Sequence, residues 1–264
     1  MREIPNLEIH VSHACNLACE SCSHYSNQGH KGNLSPDKAA LWMSAWNQRL
    51  RPRVLSLLGG EPAVNPELAA LVTMTRAYWP DTHLRLVTNA FLLARHPELP
   101  RALRDAGNAG IYVSVHHESP EYMAKLQPAL ELLREWKREF GVRLTIYRSA
   151  KSWTRRYHGE GPAMQPFQDG NPRQSWERCS ARLCTQLHEG RIWKCPPLAY
   201  LGLQNARHGL RESWAQYLKY EPLSPKCSEA DLTAFFKREE ESACGMCPAK
   251  PEPLAIPLPI RERG

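Results

Sequence analysis

The sequence predicts an α/β fold on a parallel sheet, open or curled into a barrel, followed by a smaller cysteine-rich unit. Two observations carry this. Short apolar runs of strand length alternate with longer helical stretches through the first 150 residues. Six of the nine cysteines then fall between positions 179 and 247.

The strands are expected at 7–12, 54–58, 84–88, 111–115 and 144–147, each a compact apolar run bounded by turn residues. Ser35-Pro36 supplies an N-cap and a proline at N1, opening a helix to about 50. Asn65-Pro66 repeats that signal before a helix to about 78. Ser119-Pro120 opens a third, closed by Gly141, with Pro128 expected to kink or split it. Residues 151–178 have weak periodicity and are rich in Trp, Arg, Pro, Gly and Gln; they read as a long connection over an active site. The expected division is therefore 1–150 as core, 151–178 as connection and 179–264 as cysteine-rich unit. In the last, Ser228 caps a helix to about 239 with Asp231 at N3, and the proline-rich tail 251–264 reads as extended.

Composition narrows the function classes. At 264 residues, 42% hydrophobic and 23% charged, the chain can bury a proper core. No apolar run has the length of a membrane span, and the first residues lack the form of a signal peptide, so a cytoplasmic protein is expected. A reducing compartment keeps thiols free, so nine cysteines point to metal or redox chemistry. The net charge of +7 is spread along the chain without a basic run interleaved with aromatics, so no nucleic-acid partner is expected.

Cys15, Cys19 and Cys22 form CxxxCxxC directly after the first strand. Three thiolates in one loop can hold three irons of a [4Fe-4S] cube and leave the fourth open for chemistry. A structural zinc site takes four ligands and usually builds on CxxC pairs. Here the fourth would have to be His13 or His24, and the pattern favours the cluster.

This motif after a first strand, with Gly59-Gly60-Glu61-Pro62 after the second, resembles the radical S-adenosylmethionine (SAM) superfamily over the first 150 residues. The resemblance implies a partial (β/α) TIM-like barrel. It also implies that SAM binds the open iron, is cleaved by one electron to a 5'-deoxyadenosyl radical, and that this radical takes a hydrogen atom from substrate. By the same resemblance Gly59 and Gly60 let the backbone approach the methionine moiety, Glu61 accepts from its ammonium group, Asn89 and Ser114 contact the nucleoside, and Arg148 meets the carboxylate or the substrate. The aromatic residue that many members carry before the third cysteine is replaced by Ser21, and Tyr25 is expected to supply part of the adenine wall.

Cys184 and Cys195 flank a predicted hairpin around Gly190, and Cys244 and Cys247 form CxxC after the Ser228 helix. Two thiolate pairs make a closed site for zinc or an iron–sulfur cluster. The arrangement resembles the SPASM domain or its shortened Twitch form, which implies an auxiliary [4Fe-4S] cluster on these four. Cys179 and Cys227 are left over; Cys179 can replace a ligand, and Cys227 can donate a hydrogen atom to a substrate radical, as a cysteine does in epimerases of the superfamily.

The first strand starts too early to leave room for a leader-binding domain, so a small polar substrate is expected, with Trp153, Arg155, Arg156 and Tyr157 near its pocket. The expected reaction is epimerisation or oxidation, served by a flavodoxin- or ferredoxin-type electron donor. Two other readings are a peptide-modifying maturase and a non-catalytic iron–sulfur or zinc module; a simple electron carrier has no need of GGEP.

Overall fold

Arg2–Ser12 (β1) is an eleven-residue strand buried on both faces. Leu7, Ile9 and Val11 pack into the main core. Asn6, Glu8, His10 and Ser12 share the opposite face by the two-residue period of a strand. The chain then alternates through Pro36–Ser44 (α1), Leu50–Gly59 (β2), Leu68–Tyr78 (α2), His83–Thr88 (β3), Leu99–Asp105 (α3), Ala109–Ser114 (β4), Pro120–Phe140 (α4) and Arg143–Tyr147 (β5). The structure, a computed structural model, describes residues 1–255.

All pairings from β1 to β5 are parallel, in chain order. Helices connect each strand to the next, as parallel strands require. The five expected strands and their order agree with this sheet. The first helix stops at Ser44 rather than about 50, because Trp46 and Leu50 are fully buried and Leu50 already pairs with Arg2. The second begins at Leu68, two residues past Pro66, with the Asn65 side chain accepting from the Glu67 N–H. Pro128 does not split α4, which runs unbroken for 21 residues. Tyr122, Leu126, Leu130, Leu133 and Trp136 bury one stripe of it on both sides of the proline, and Gly141 closes it at φ +69°.

After Pro172–Arg178 (α5) come Thr185–His188 (β6) and Arg191–Trp193 (β7), an antiparallel hairpin turning at Glu189 and Gly190, both at positive φ. The hairpin is not set apart from the barrel. β6 pairs in parallel with β1, giving one seven-stranded sheet of order β5-β4-β3-β2-β1-β6-β7. Pro196–His208 (α6), Ala215–Leu218 (α7) and Glu229–Lys237 (α8) follow, α8 with the expected Ser228–Asp231 capping box. A second apolar core, with Tyr25, Tyr157, Tyr200 and Trp214, lies under this part. The tail expectation falls partly outside the described residues; Glu252 and Leu254 pair with the 153–155 backbone.

Candidate active site

The sheet ends at one rim with Ser12, Gly59, Thr88 and Ser114, the C-terminal ends of β1 to β4. Barrel folds of this kind place their chemistry there. A cleft at this rim is lined by Cys15, Cys19, Cys22, Gly59, Gly60, Asn89 and Ser114, bringing the sequence-predicted triad and four of its expected companions together.

The triad loop is held by the strand beside it. The Gly60 N–H donates to Ser12 O at 2.8 Å and the Glu61 N–H to Ala14 O at 2.9 Å, so β2 continues past its end to grip the loop. A Cβ on Gly60 would lie 2.4 Å from Ala14 O and 2.9 Å from Cys15 Cβ; one on Gly59 would lie 2.4 Å from Ser12 O. Both glycines are thus required by the loop's own backbone, in addition to any role toward a ligand.

Glu61 is fully buried. Its carboxylate accepts from Thr88 Oγ1 at 2.5 Å, the Asn89 N–H at 2.7 Å and the Ala63 N–H at 3.0 Å. Burial nevertheless lifts its carboxyl from 4.5 to about 7. It is not among the cleft-lining residues. It fixes the end of β3, where the Asn89 amide donates to Asn16 Oδ1 at 2.7 Å and reaches Cys15 Sγ at 3.9 Å.

Arg148 is likewise outside the cleft: its side chain is 67% exposed and pairs with Glu118 at 3.2 Å. Tyr25 does not wall the cleft either. It turns inward with φ +56°, is 1% exposed, and packs at a tilt against Tyr157 in the second core. Ser21 explains why no aromatic residue stands there. Its hydroxyl is buried and takes the Arg156 N–H at 2.6 Å and the Tyr157 N–H at 3.3 Å.

The 153–161 segment is strapped to the triad loop. Trp153 Nε1 donates to Glu20 O, Arg155 pairs with Glu20 at 2.7 Å, and Asn27 and Gln28 hold the Tyr157 hydroxyl. Of the four residues expected near a substrate, Trp153 lines the cleft. Its edge meets the His116 ring, with centroids 5.5 Å apart. His116 also lines the cleft, and its buried Nδ1 has no hydrogen-bond partner among the described residues. Sequence reading passed over His116, although it stands two residues past Ser114 at a strand end, the signal that marks Asn89.

Cys195, Cys244 and Cys247 line a second cavity together with Cys179, and Cys184 is not among its lining residues. The Cys184 thiol instead meets the Glu8 carboxylate on β1. The reason is local: α5 ends at Arg178, and its Ser175 hydroxyl donates to Cys247 O at 2.9 Å, delivering Cys179 to the CxxC loop. Cys184 instead precedes β6, whose pairing with β1 draws it to the sheet. Cys227 lies at the far end of the sheet, where Arg49 Nη1 donates to its Sγ at 3.4 Å. Arg49 precedes β2 and Gly59 ends it, and ten residues of strand span about 30 Å. Cys227 therefore stands a strand's length from the triad rim.

Both thiol sets fit iron–sulfur ligation. Backbone N–H groups of His24, Tyr25, Ser26 and Asn27 surround the Cys22 sulfur, and that of Leu17 donates to Cys15 at 3.4 Å. The Ala181 and Glu241 N–H groups do the same for Cys179 and Cys244. Such donors stabilise sulfur that carries negative charge. Burial pushes the free thiols of Cys19 and Cys247 up to about 12, so a bound cation is what would ionise them. Among the described residues no three His, Cys, Asp or Glu groups converge as one metal ion would need; a cubane is a larger object.

Beneath the triad loop His10, His13, His24 and His188 gather around Tyr200, with the His10 and His13 Nδ1 atoms 2.9 Å apart. Neither His13 nor His24 is set as a fourth zinc ligand. Burial lowers His13, His24 and His116 from 6.5 to about 4 and His188 to about 3. The unfolded chain therefore binds more protons than the native one between these values and 6.5, and stability rises with pH there. Glu61 acts with the opposite sign between 4.5 and about 7, but it is one group against several. The metal-free protein is expected to melt progressively lower as pH falls from 6.5 towards 4, a trend that thermal denaturation across that range checks.

A family profile described as "Radical SAM superfamily" matches residues 9–149. The GTP 3',8-cyclase of Sulfurovum sp. (strain NBC37-1) is 30% identical over 124 residues, covering 46% of this chain and 36% of that one. The GTP 3',8-cyclase of Acidothermus cellulolyticus (strain ATCC 43068 / DSM 8971 / 11B) is 33% identical over 132 residues, covering 47% and 35%. The match thus spans about a third of the length of these curated relatives. The crystal structure of BtrN in complex with AdoMet and 2-DOIA superposes with a TM-score of 0.54 over 92% of both chains at 16% identity, a shared fold. Among the described residues no helix is long and apolar enough to cross a membrane. With the profile covering more than half of its length, and the three cysteines placed at the rim of a partial barrel, the chain belongs to the radical SAM superfamily.

Proposed function

We propose that this protein is a cytoplasmic radical SAM enzyme that oxidises a small polar substrate with two iron–sulfur clusters. One would be held by Cys15, Cys19 and Cys22, the other by Cys179, Cys195, Cys244 and Cys247 in a Twitch-like C-terminal unit. The observation that carries the reading is the triad loop gripped by Gly60 and Glu61 over an open cleft. When bound, the first cluster with SAM supplies a 5'-deoxyadenosyl radical that takes a hydrogen atom from substrate.

The chain's own residues would do the following. Gly60 and Asn89 fix the loop that bears Cys15. Asn89 and Ser114 offer hydrogen bonds to ribose hydroxyls from the cleft wall. His116 and Trp153 close the side next to the strap. A flavodoxin- or ferredoxin-type protein would supply the first electron. Oxidation is favoured over epimerisation because Cys227, the thiol that inversion would use, stands at the wrong end of the sheet. Cys227→Ala is therefore expected to leave turnover unchanged within about twofold, as substitutions away from a site usually do. GTP is not carried over from the cyclases, whose match covers less than half of this chain.

The test is anaerobic reconstitution with iron and sulfide, then dithionite and SAM. Release of 5'-deoxyadenosine supports the enzyme; stable iron without SAM cleavage contradicts it. Cys179→Ala and Cys184→Ala separate the two possible ligand sets. Reconstituted wild type should hold about eight irons per chain. Cys179→Ala is expected to fall to about half of that while Cys184→Ala keeps them all, as iron assay of the purified variants would read.

A further inference from the structure

Tyr25 lies three residues after Cys22 and belongs to the core that holds Cys195 and Cys247. Its backbone N–H donates to Cys22 O at 3.0 Å, and its hydroxyl donates to Pro197 O at 3.3 Å, two residues past Cys195. It is a non-glycine residue in the left-handed region, at φ +56°. An aromatic residue accepts that backbone only where its surroundings fix it. One face meets Tyr157, with centroids 5.4 Å apart, and solvent reaches 1% of the residue. Its backbone is thus tied to one thiol loop and its tip to the other.

We infer that Tyr25 is a positioning residue that joins the two thiol sets and fills the space between them with a dry aromatic path for electrons. This rests on the two-cluster reading above. An oxidation needs such a path. SAM cleavage takes one electron at the first site; the substrate gives up a hydrogen atom to the deoxyadenosyl radical, then one proton and one electron, the latter to the second site. Passing that electron back restores the first site, so SAM is the net oxidant and no external electron is consumed. The phenol does not itself lose a proton in this role. Its hydroxyl faces a backbone carbonyl, which cannot take one. The ring is what counts, and phenylalanine should serve.

The test uses the reconstituted full chain, reduced by dithionite, freed of excess reductant and mixed with SAM, with freeze-quench electron paramagnetic resonance following the second site's signal. In wild type and Tyr25→Phe that signal is expected to decay as 5'-deoxyadenosine accumulates. In Tyr25→Leu, which keeps apolar bulk, it should decay at least about tenfold more slowly, with iron content and SAM affinity unchanged. Wild-type decay in the leucine variant, no decay in wild type, or slow decay in Tyr25→Phe overturns the inference. So does loss of iron from Tyr25→Leu, which would make the ring a mere part of the packing. A wild-type protein with only about four irons defeats the two-cluster reading itself, before any Tyr25 variant is made.

Discussion

Cys19→Ala is expected to abolish 5'-deoxyadenosine formation. Cys19 is buried, at 7% exposure, and packs into the main core. Alanine there removes a ligand and little else, so the barrel should fold while the first cluster loses one of three anchors. Outer partners of metal ligands already cost about 10- to 100-fold when removed, and a direct ligand should cost more than that upper figure. Product assay by chromatography after reduction, with circular dichroism to confirm the fold, gives the answer. Turnover near the wild-type rate would remove Cys19 from the site.

The second large effect is expected from Gly60→Ala, a change that adds one methyl group and removes no ligand. The new Cβ would sit 2.4 Å from Ala14 O and 2.7 Å from Ala14 C, atoms of the backbone that cannot swing away. The loop carrying Cys15 must shift, and overpacking of this kind costs about 1–3 kcal/mol. Iron at the first site should drop below about half and SAM cleavage by at least about tenfold, because positional errors near 1 Å already cost about a hundredfold. The second site, whose lining does not include Gly60, should keep its irons. Gly202→Ala is the matching control: it lies within α6 with nothing inside 4 Å of the added atom, and helix propensity favours alanine by about 1 kcal/mol. Equal iron content in both variants would show that the close approach at Gly60 is not what orders the loop.

The strands could be read from the sequence because each is a short apolar run cut off by a turn or cap. Gly141 and the Ser228–Asp231 box worked for the same reason: their signals are local. What failed was decided at long range. The continuity of α4 through Pro128 comes from the core on either side of it, and the early end of α1 from the pairing of Leu50 with Arg2. No local feature announces that the hairpin 185–193 joins β1, yet that pairing moves Cys184 out of the second thiol set.

The triad and GGEP were legible because their spacing is dictated by one loop and one strand end. The roles of their neighbours were less so. Glu61 holds β3 instead of facing the cleft, Arg148 points to Glu118, and Tyr25 turns into the second core. In each case the residue type suits two jobs, and the backbone direction at that residue chooses between them. Ser21 shows this most simply: its small hydroxyl fits the strap residues Arg156 and Tyr157, where a ring could not accept both N–H groups.

The central claim is that the loop bearing Cys15, Cys19 and Cys22 holds a cubane with a coordination place left for SAM. Electron paramagnetic resonance of the reduced, reconstituted protein, recorded before and after SAM is added, tests it directly. A cubane signal that changes on addition in wild type and is missing in the triad alanine variants is the predicted result. A signal indifferent to SAM, or one that survives loss of all three cysteines, would contradict it.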